Sequence, residues 1–288
     1  MDFRAQELVV LKRFGLILLA LLVGFVPTNA FAASRQVVYP SYSILVRQDA
    51  ADKVHSTEFR IVEVNVTPEC TALSCELTFL KKVKREELFI SDGCNLYYQS
   101  AAGLTAIGLK EAAGIAIYDR TKKVSRKKYS HRRGETMKFT LYFDPLPDEV
   151  DNFDFIEDVF SGKNAVGISL SEGASSREQQ KIGECPYEDI ITEPTFLGAE
   201  KYSFSQWVNP RLVYPEILSD LGKEGRLIIE ITIEEDGKTS YRVMEETLAP
   251  FNDEAMRVVL SAPMWSPAAF RGKPVRCHIK FPVIFQLR

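Results

Sequence analysis

The stretch "GRLIIEITIEEDGKTSYRVMEE", residues 225–246, decides the fold of the last third of the chain. Its first half alternates between an apolar face and a mixed face, and the apolar face consists of Leu227, Ile229, Ile231 and Ile233. Alternation with a period of two is typical of a strand with one buried side. "EDGK" at 235–238 supplies a turn, and Tyr241 and Val243 continue the alternation beyond it. The segment is therefore predicted to be a β-hairpin.

Helical patterns flank the hairpin on both sides. Before it, Pro215 stands where a helix can start, and Gly222 is placed to end that helix. After it, "NDEAMRVVLSAP", residues 252–263, reads as a second helix that begins at Asn252 or Asp253. With the final segment of the chain, the predicted order is helix, strand, strand, helix, strand.

The final segment is "RGKPVRCHIKFPVIF", residues 271–285. It alternates from Val275 onward, and the side predicted to be buried comprises Val275, Cys277, Ile279, Phe281, Val283 and Phe285. The other side carries basic residues and Pro282. Basic side chains protect exposed sheet edges, and proline is tolerated in edge strands. We therefore expect an edge strand.

The run from about 194 to 288 resembles the C-terminal domain of TonB, the energy transducer of bacterial outer-membrane transport. The matching pieces are P-x-F-x-G at 194–198, WV at 207–208, YPE at 214–216, GR at 225–226, I-x-x-DGK at 233–238, EAMRVV at 254–259, W-x-P at 265–267, RGKPV at 271–275 and FPVIF at 281–285. The resemblance implies an α+β domain in which two helices back a three-stranded antiparallel sheet.

The resemblance also implies a partner. The last strand would lie at a sheet edge and receive an extended peptide segment of an outer-membrane receptor or another envelope protein by strand addition, in which main-chain hydrogen bonds provide affinity. The residues expected to make this contact are Val275, Arg276, Cys277, His278, Ile279, Lys280, Phe281 and Pro282.

The beginning of the chain has the features of an export signal. Lys12 and Arg13 precede an apolar run at 14–26, and the small residues of "AFA" at 30–32 fit a cleavage site. Residues 1–32 are therefore predicted to be a signal peptide, with a retained membrane anchor as the alternative. Export places the protein in the periplasm or cell envelope, whereas retention would anchor it to the inner membrane.

Residues 33–170 are predicted to form an all-β sandwich-like domain of about seven short strands, with a small barrel as the alternative. One stretch in it, "FTLYFDPLPDEVDNFDFIE" at 139–157, resembles uncharacterised bacterial cell-envelope proteins. Residues 171–193 are polar and are predicted to be a linker to the domain at 194–288.

Charge is balanced over the whole chain but clustered locally. The net charge is -3, so no chain-wide field favours nucleic acid. Residues 120–133 nevertheless contain eight Lys or Arg and no acid. This basic block indicates either a site for an anionic surface partner or a solvated hairpin tip.

Cysteine and histidine provide little evidence for catalysis. Five cysteines allow disulfides in an exported protein, and Cys70–Cys75 and Cys94–Cys185 are candidate pairs. Cys277 and His278 are neighbours on a strand and so point to opposite faces, with the thiol buried and the imidazole solvated or facing a peptide. No metal or cofactor is predicted, since the three histidines are scattered and no phosphate-binding glycine loop occurs. Two tryptophans are expected in the core, Trp207 and Trp265.

These patterns favour a non-enzymatic, exported binding protein that recognises an extended segment through the TonB-like domain. Energy transduction is the alternative if the N-terminal segment stays as a membrane anchor. An envelope enzyme with its site in the β domain is a third hypothesis, although the sequence contains no catalytic motif for it.

Overall fold

A computed structural model describes most of the chain, namely residues 34–46, 57–118, 128–159, 163–198 and 204–287. The predicted signal at 1–32 lies outside the described residues, as does most of the basic block at 120–133. The described part is mostly β, and a large β region precedes a smaller region with helices, as the sequence predicted.

The N-terminal domain is built from strands joined by turns. The sequence predicted about seven strands at 33–170, whereas the described residues of this region form thirteen, and a fourteenth follows in the stretch predicted as a linker. They are β1 (Arg35–Val38), β2 (Tyr42–Val46), β3 (Thr57–Val66), β4 (Thr71–Phe79), β5 (Val83–Glu87), β6 (Phe89–Ser91), β7 (Asn95–Ser100), β8 (Gly103–Ala113), β9 (Ala116–Tyr118), β10 (Lys128–His131), β11 (Thr136–Phe143), β12 (Asn152–Ile156), β13 (Asn164–Ser169) and β14 (Ile182–Pro186).

Ten of these strands form one continuous ladder in the order β1-β3-β4-β11-β8-β7-β12-β13-β2-β14. Strand β8 links the two halves of the ladder, because its first half pairs with β7 and its second half pairs with β11. The two halves of the ladder enclose a shared apolar core, in which Phe155 of β12 contacts Phe59 of β3 and Phe143 of β11. The arrangement is thus sandwich-like.

The stretch predicted as a linker, 171–193, is structured. Within it, β14 pairs in parallel with β2 and becomes the last strand of the ladder. Gln180 holds the segment in place, since its buried side-chain amide donates to the carbonyls of Pro40 and Ile61. Polar composition suggested a linker, but the pairing of β14 and the hydrogen bonds of Gln180 attach the stretch to the N-terminal domain.

The C-terminal domain contains the three-stranded sheet and the helices. Its elements are β15 (Ile191–Thr192), β16 (Thr195–Phe196), α1 (Phe204–Val208), α2 (Glu216–Asp220), β17 (Gly225–Ile233), β18 (Thr239–Glu245), α3 (Ala249–Val259), β19 (Trp265–Ser266), β20 (Ala268–Phe270), β21 (Lys273–Val275) and β22 (Cys277–Phe285). The predicted hairpin is β17–β18, and α2 and α3 are the two predicted helices. The short helix α1 was not predicted.

Local signals place the turns of this domain. Gly237 has a φ of 80° and its N–H donates to Glu234 O, which closes the hairpin turn. Gly222 has a φ of 60° and ends α2, as predicted. The start of α3 differs from the prediction: the helix begins at Ala249 with Pro250 in its first turn. Asn252 instead accepts a hydrogen bond from the N–H of Thr247.

The sheet has the order β18-β17-β22 and is antiparallel throughout. Helix α3 covers one face, where Phe251, Ala255, Val258 and Val259 pack against the inward residues of β17. The same apolar cluster continues into the N-terminal domain and includes Tyr97, Ile156, Val159 and Val166. The two domains therefore share part of one core.

Candidate functional site: the edge strand and its surroundings

Strand β22 occupies one edge of the C-terminal sheet. It pairs with β17 without a break, from Gly225↔Phe285 to Ile233↔Cys277. Among the described residues, β17 is the only strand that pairs with β22. The other edge of β22 is therefore the place where a further strand could be added.

The two faces of β22 differ as the alternation predicted. Cys277, Val283 and Phe285 are buried in the core under the helices, and Ile279 and Phe281 are partly buried against it. On the opposite, outer face, Lys280, Pro282 and Ile284 are exposed, with Ile284 at 55%. The outer face is thus open from Lys280 onward.

An aromatic cluster supports the middle of the strand from below. The ring of Phe281 lies 4.9 Å from that of Phe204 in α1, which in turn contacts Phe196, Trp207 and Trp265. Both tryptophans are buried, which confirms their predicted place in the core. The cluster explains why α1 forms, because two of its five residues insert large rings into this core.

The start of β22, at His278, lies against the N-terminal domain. His278 is 8% exposed, and its Nε2 is 3.8 Å from Oδ2 of Asp158, which follows β12. Its Nδ1 is 2.9 Å from the hydroxyl of Thr232 on β17. The expectation that this imidazole is solvated was therefore wrong. The outer face has a second covering layer that sequence periodicity does not reveal.

Further contacts lie along the same interface between the two domains, which we call the seam. Its residues are Gly93, Tyr118, Asp154 and Asp158 on the N-terminal domain and Arg242, Arg271, Arg276 and His278 on the C-terminal domain. The guanidinium of Arg271 binds the carboxylate of Asp154, with Nε 2.9 Å from Oδ2. The guanidinium of Arg242 lies over the ring of Tyr118 at 5.2 Å. Gly93 lies beside Arg276, since a Cβ at Gly93 would be at ordinary contact distance, 3.9 Å, from Cδ of the arginine.

The structure therefore divides the eight residues predicted to bind a partner into two groups of four. Val275 pairs with Ala268 in the β20–β21 hairpin, and Arg276 makes an ion pair with Glu234 that raises the pKa of its guanidinium. Cys277 and His278 are buried. The other four, Ile279, Lys280, Phe281 and Pro282, lie on the open part of the strand.

None of the five cysteines forms a disulfide, so the candidate pairs Cys70–Cys75 and Cys94–Cys185 are not present. Burial raises the pKa of the Cys277 thiol to about 12, which keeps it protonated and unreactive. Cys277 and His278 face opposite sides of the strand, and the described residues contain no cluster of three or more His, Cys, Asp or Glu placed to hold a metal ion.

A small sheet backed by helices, with a last strand that pairs on one side only, defines this part of the chain as an α+β domain. Residues 210–287 match the family of the Gram-negative bacterial TonB protein C-terminal. The match confirms the resemblance seen in the sequence and identifies this region as a TonB C-terminal domain. It begins later than the predicted domain start at 194. A search of curated proteins found no match to the chain.

A TonB C-terminal domain makes an envelope or periplasmic location plausible for the protein. In the part of the chain that the structure describes, no helix has the length and apolar character that crossing a membrane requires.

Proposed function

We propose that the protein is an exported, non-enzymatic binding protein of the cell envelope, and that the free edge of β22 binds an extended segment of a partner protein. One observation carries the proposal: β22 has β17 on one side and, among the described residues, no strand on the other. The match of residues 210–287 to the TonB family supports an outer-membrane receptor as the kind of partner.

Pro282 indicates which residues would bond to the guest strand. Proline has no N–H, and it is confined in sheets to positions where its nitrogen faces away from the ladder. The register with β17 is unbroken through Ile228↔Pro282, so we place this nitrogen on the free edge. Because main-chain groups alternate along a strand, Lys280 and Ile284 would then also direct their N–H and C=O groups to the guest.

The alternation of main-chain groups along β22 gives a test with a matched control. Lys280→Pro removes one free-edge N–H and puts a ring where the guest strand would lie, whereas Lys280→Ala keeps the N–H. Peptides selected from a random phage-displayed library on the full chain should bind K280P about tenfold more weakly than K280A, as expected for a lost main-chain hydrogen bond with added crowding. Circular dichroism should show both variants folded. Equal affinity for two folded variants would contradict the proposal.

A second candidate surface, on the N-terminal domain, favours an anionic partner. Lys81 and Lys82 in the turn after β4 and Arg132 and Arg133 in the turn after β10 are all exposed. The two turns are adjacent, because Gly134 N–H donates to Phe79 O. We propose that this basic tip binds anionic lipid headgroups. Sedimentation with phosphatidylglycerol vesicles should deplete the protein from the supernatant. The K81A/K82A/R132A/R133A variant should stay in the supernatant. Equal sedimentation with phosphatidylcholine vesicles would contradict it.

A further inference from the structure

We propose that the N-terminal domain caps the guest-strand site at His278, so that a partner segment pairs only with residues 279–285. The inference rests on the proposed function and specifies which segments can bind. It assigns to the N-terminal domain a direct role in selecting partners.

The inference of a cap is based on how the exposure of side chains changes along the outer face of β22. His278 is buried next to Asp158, whereas Lys280, the next residue on the same face, is exposed. Before His278, Arg276 lies close to Gly93, and Val275 already belongs to another sheet. A guest strand that advanced along β22 beyond Ile279 would therefore run into the N-terminal domain.

The cap is fixed in place. Domains move relative to each other by default unless a substantial apolar interface holds them. Here the interface contains the rings of Tyr97 and Phe270, with centroids 5.0 Å apart, inside a shared buried cluster. The Arg271–Asp154 ion pair and a hydrogen bond from Lys273 Nζ to Leu104 O flank it. The N-terminal domain is thus held against the C-terminal sheet by apolar packing, an ion pair and a hydrogen bond.

The open part of the strand defines the guest. Residues 279–285 span about 20 Å, which suits an extended segment of roughly seven residues. Lys280 has no ion pair among the described residues, since Glu230 opposite it on β17 pairs with Arg242. We therefore expect an acidic guest residue beside Lys280. Near Pro282 and Ile284 the guest should be apolar.

The test trims peptides selected on the full chain, one residue at a time from each end, and measures affinity by fluorescence anisotropy. Each residue removed within the paired segment should weaken binding roughly twofold to tenfold, whereas residues beyond the cap should change it less than about twofold. An affinity that keeps rising as peptides are lengthened past about seven paired residues would overturn the cap.

Two readouts separate this proposal from the proposed function. If no selected peptide distinguishes K280P from K280A, strand addition itself fails. If the peptides do distinguish them, a photoreactive group at the trimmed end nearest His278 should label the N-terminal domain at Asp92, Gly93 or Asp158. Labelling within 271–277 instead would show that the guest passes the cap, and would overturn it while leaving strand addition intact.

Discussion

Arg271 and Asp154 form an ion pair between the loop after β20 and the strand β12, and so join the two domains. Arg271 has a left-handed backbone with φ 48°, and its N–H donates to Ile190 O. Asp154 also accepts a hydrogen bond from the N–H of Gly167. A residue in a strained conformation thus makes both a side-chain and a main-chain contact between separate parts of the chain.

Arg271→Ala should lower the free energy of unfolding by about 1–2 kcal/mol, because the buried Asp154 carboxylate loses its charged partner and keeps only the N–H of Gly167. The loss stays moderate because the arginine itself is partly exposed to solvent. Arg271→Gly removes the same ion pair but suits a positive φ, so it should be more stable than R271A by about 1 kcal/mol. Urea unfolding measures both values. The reverse order of the two variants would contradict the role given to the backbone.

Two turn glycines should respond differently to alanine. A Cβ at Gly237 would lie 2.2 Å from Trp265 O, whereas a Cβ at Gly222 would meet open space. Gly222→Ala should therefore cost about 1 kcal/mol, from its left-handed conformation alone. Gly237→Ala adds a clash with main-chain atoms and should cost more than about 2 kcal/mol. Thermal and urea unfolding compare them, and equal costs would refute the close approach of β19 to the turn.

Glu254 should make stability depend on pH. Its side chain accepts hydrogen bonds from Arg257 and from the N–H of Val213, and these lower the pKa of the carboxyl from its usual 4.5. A lowered folded pKa means that the unfolded chain binds more protons, so this contribution is present above the ordinary value and is lost as the pH falls through the folded one.

Glu254→Gln keeps an acceptor for Val213 but removes the charge. The stability difference between wild type and E254Q should be present at neutral pH and shrink as the pH falls below the ordinary glutamate pKa. Urea unfolding at a series of pH values provides the measurement. A difference that is constant across the series would mean that the carboxylate charge contributes nothing.

The five thiols should divide into two classes. Cys75, Cys94 and Cys277 are buried, and burial raises the pKa of each, whereas Cys70 and Cys185 are partly exposed. Titration with Ellman's reagent should modify the two partly exposed thiols of the native protein and all five after denaturation. Fewer than five reactive thiols in unreduced, denatured protein would reveal a disulfide and contradict the structure.

The sequence predicted the C-terminal domain well because its signals are local. The β17–β18 turn depends on Gly237, and the end of α2 depends on Gly222, each a residue whose own conformation determines the structure. The N-terminal domain was predicted less completely. Strand β8, "GLTAIGLKEAA", is rich in glycine and alanine and therefore has weak strand propensity, although it connects both halves of the ladder.

The seam could not be predicted for a different reason. Alternation along β22 shows which side chains share a face, but not what covers that face. His278 and Lys280 lie on the same face of the strand, yet only His278 is buried, because the turn after β12 brings Asp158 to it. Contacts between residues so far apart in sequence leave no local pattern in either segment.

The central claim is that a guest strand pairs with the open edge of β22. Residue-resolved amide hydrogen exchange of the full chain, with and without a selected peptide, tests it most directly. The amides of Lys280 and Ile284 should exchange more slowly when the peptide is bound, and that of His278 should not change. Unchanged exchange at Lys280 and Ile284 in the presence of saturating peptide would contradict the claim.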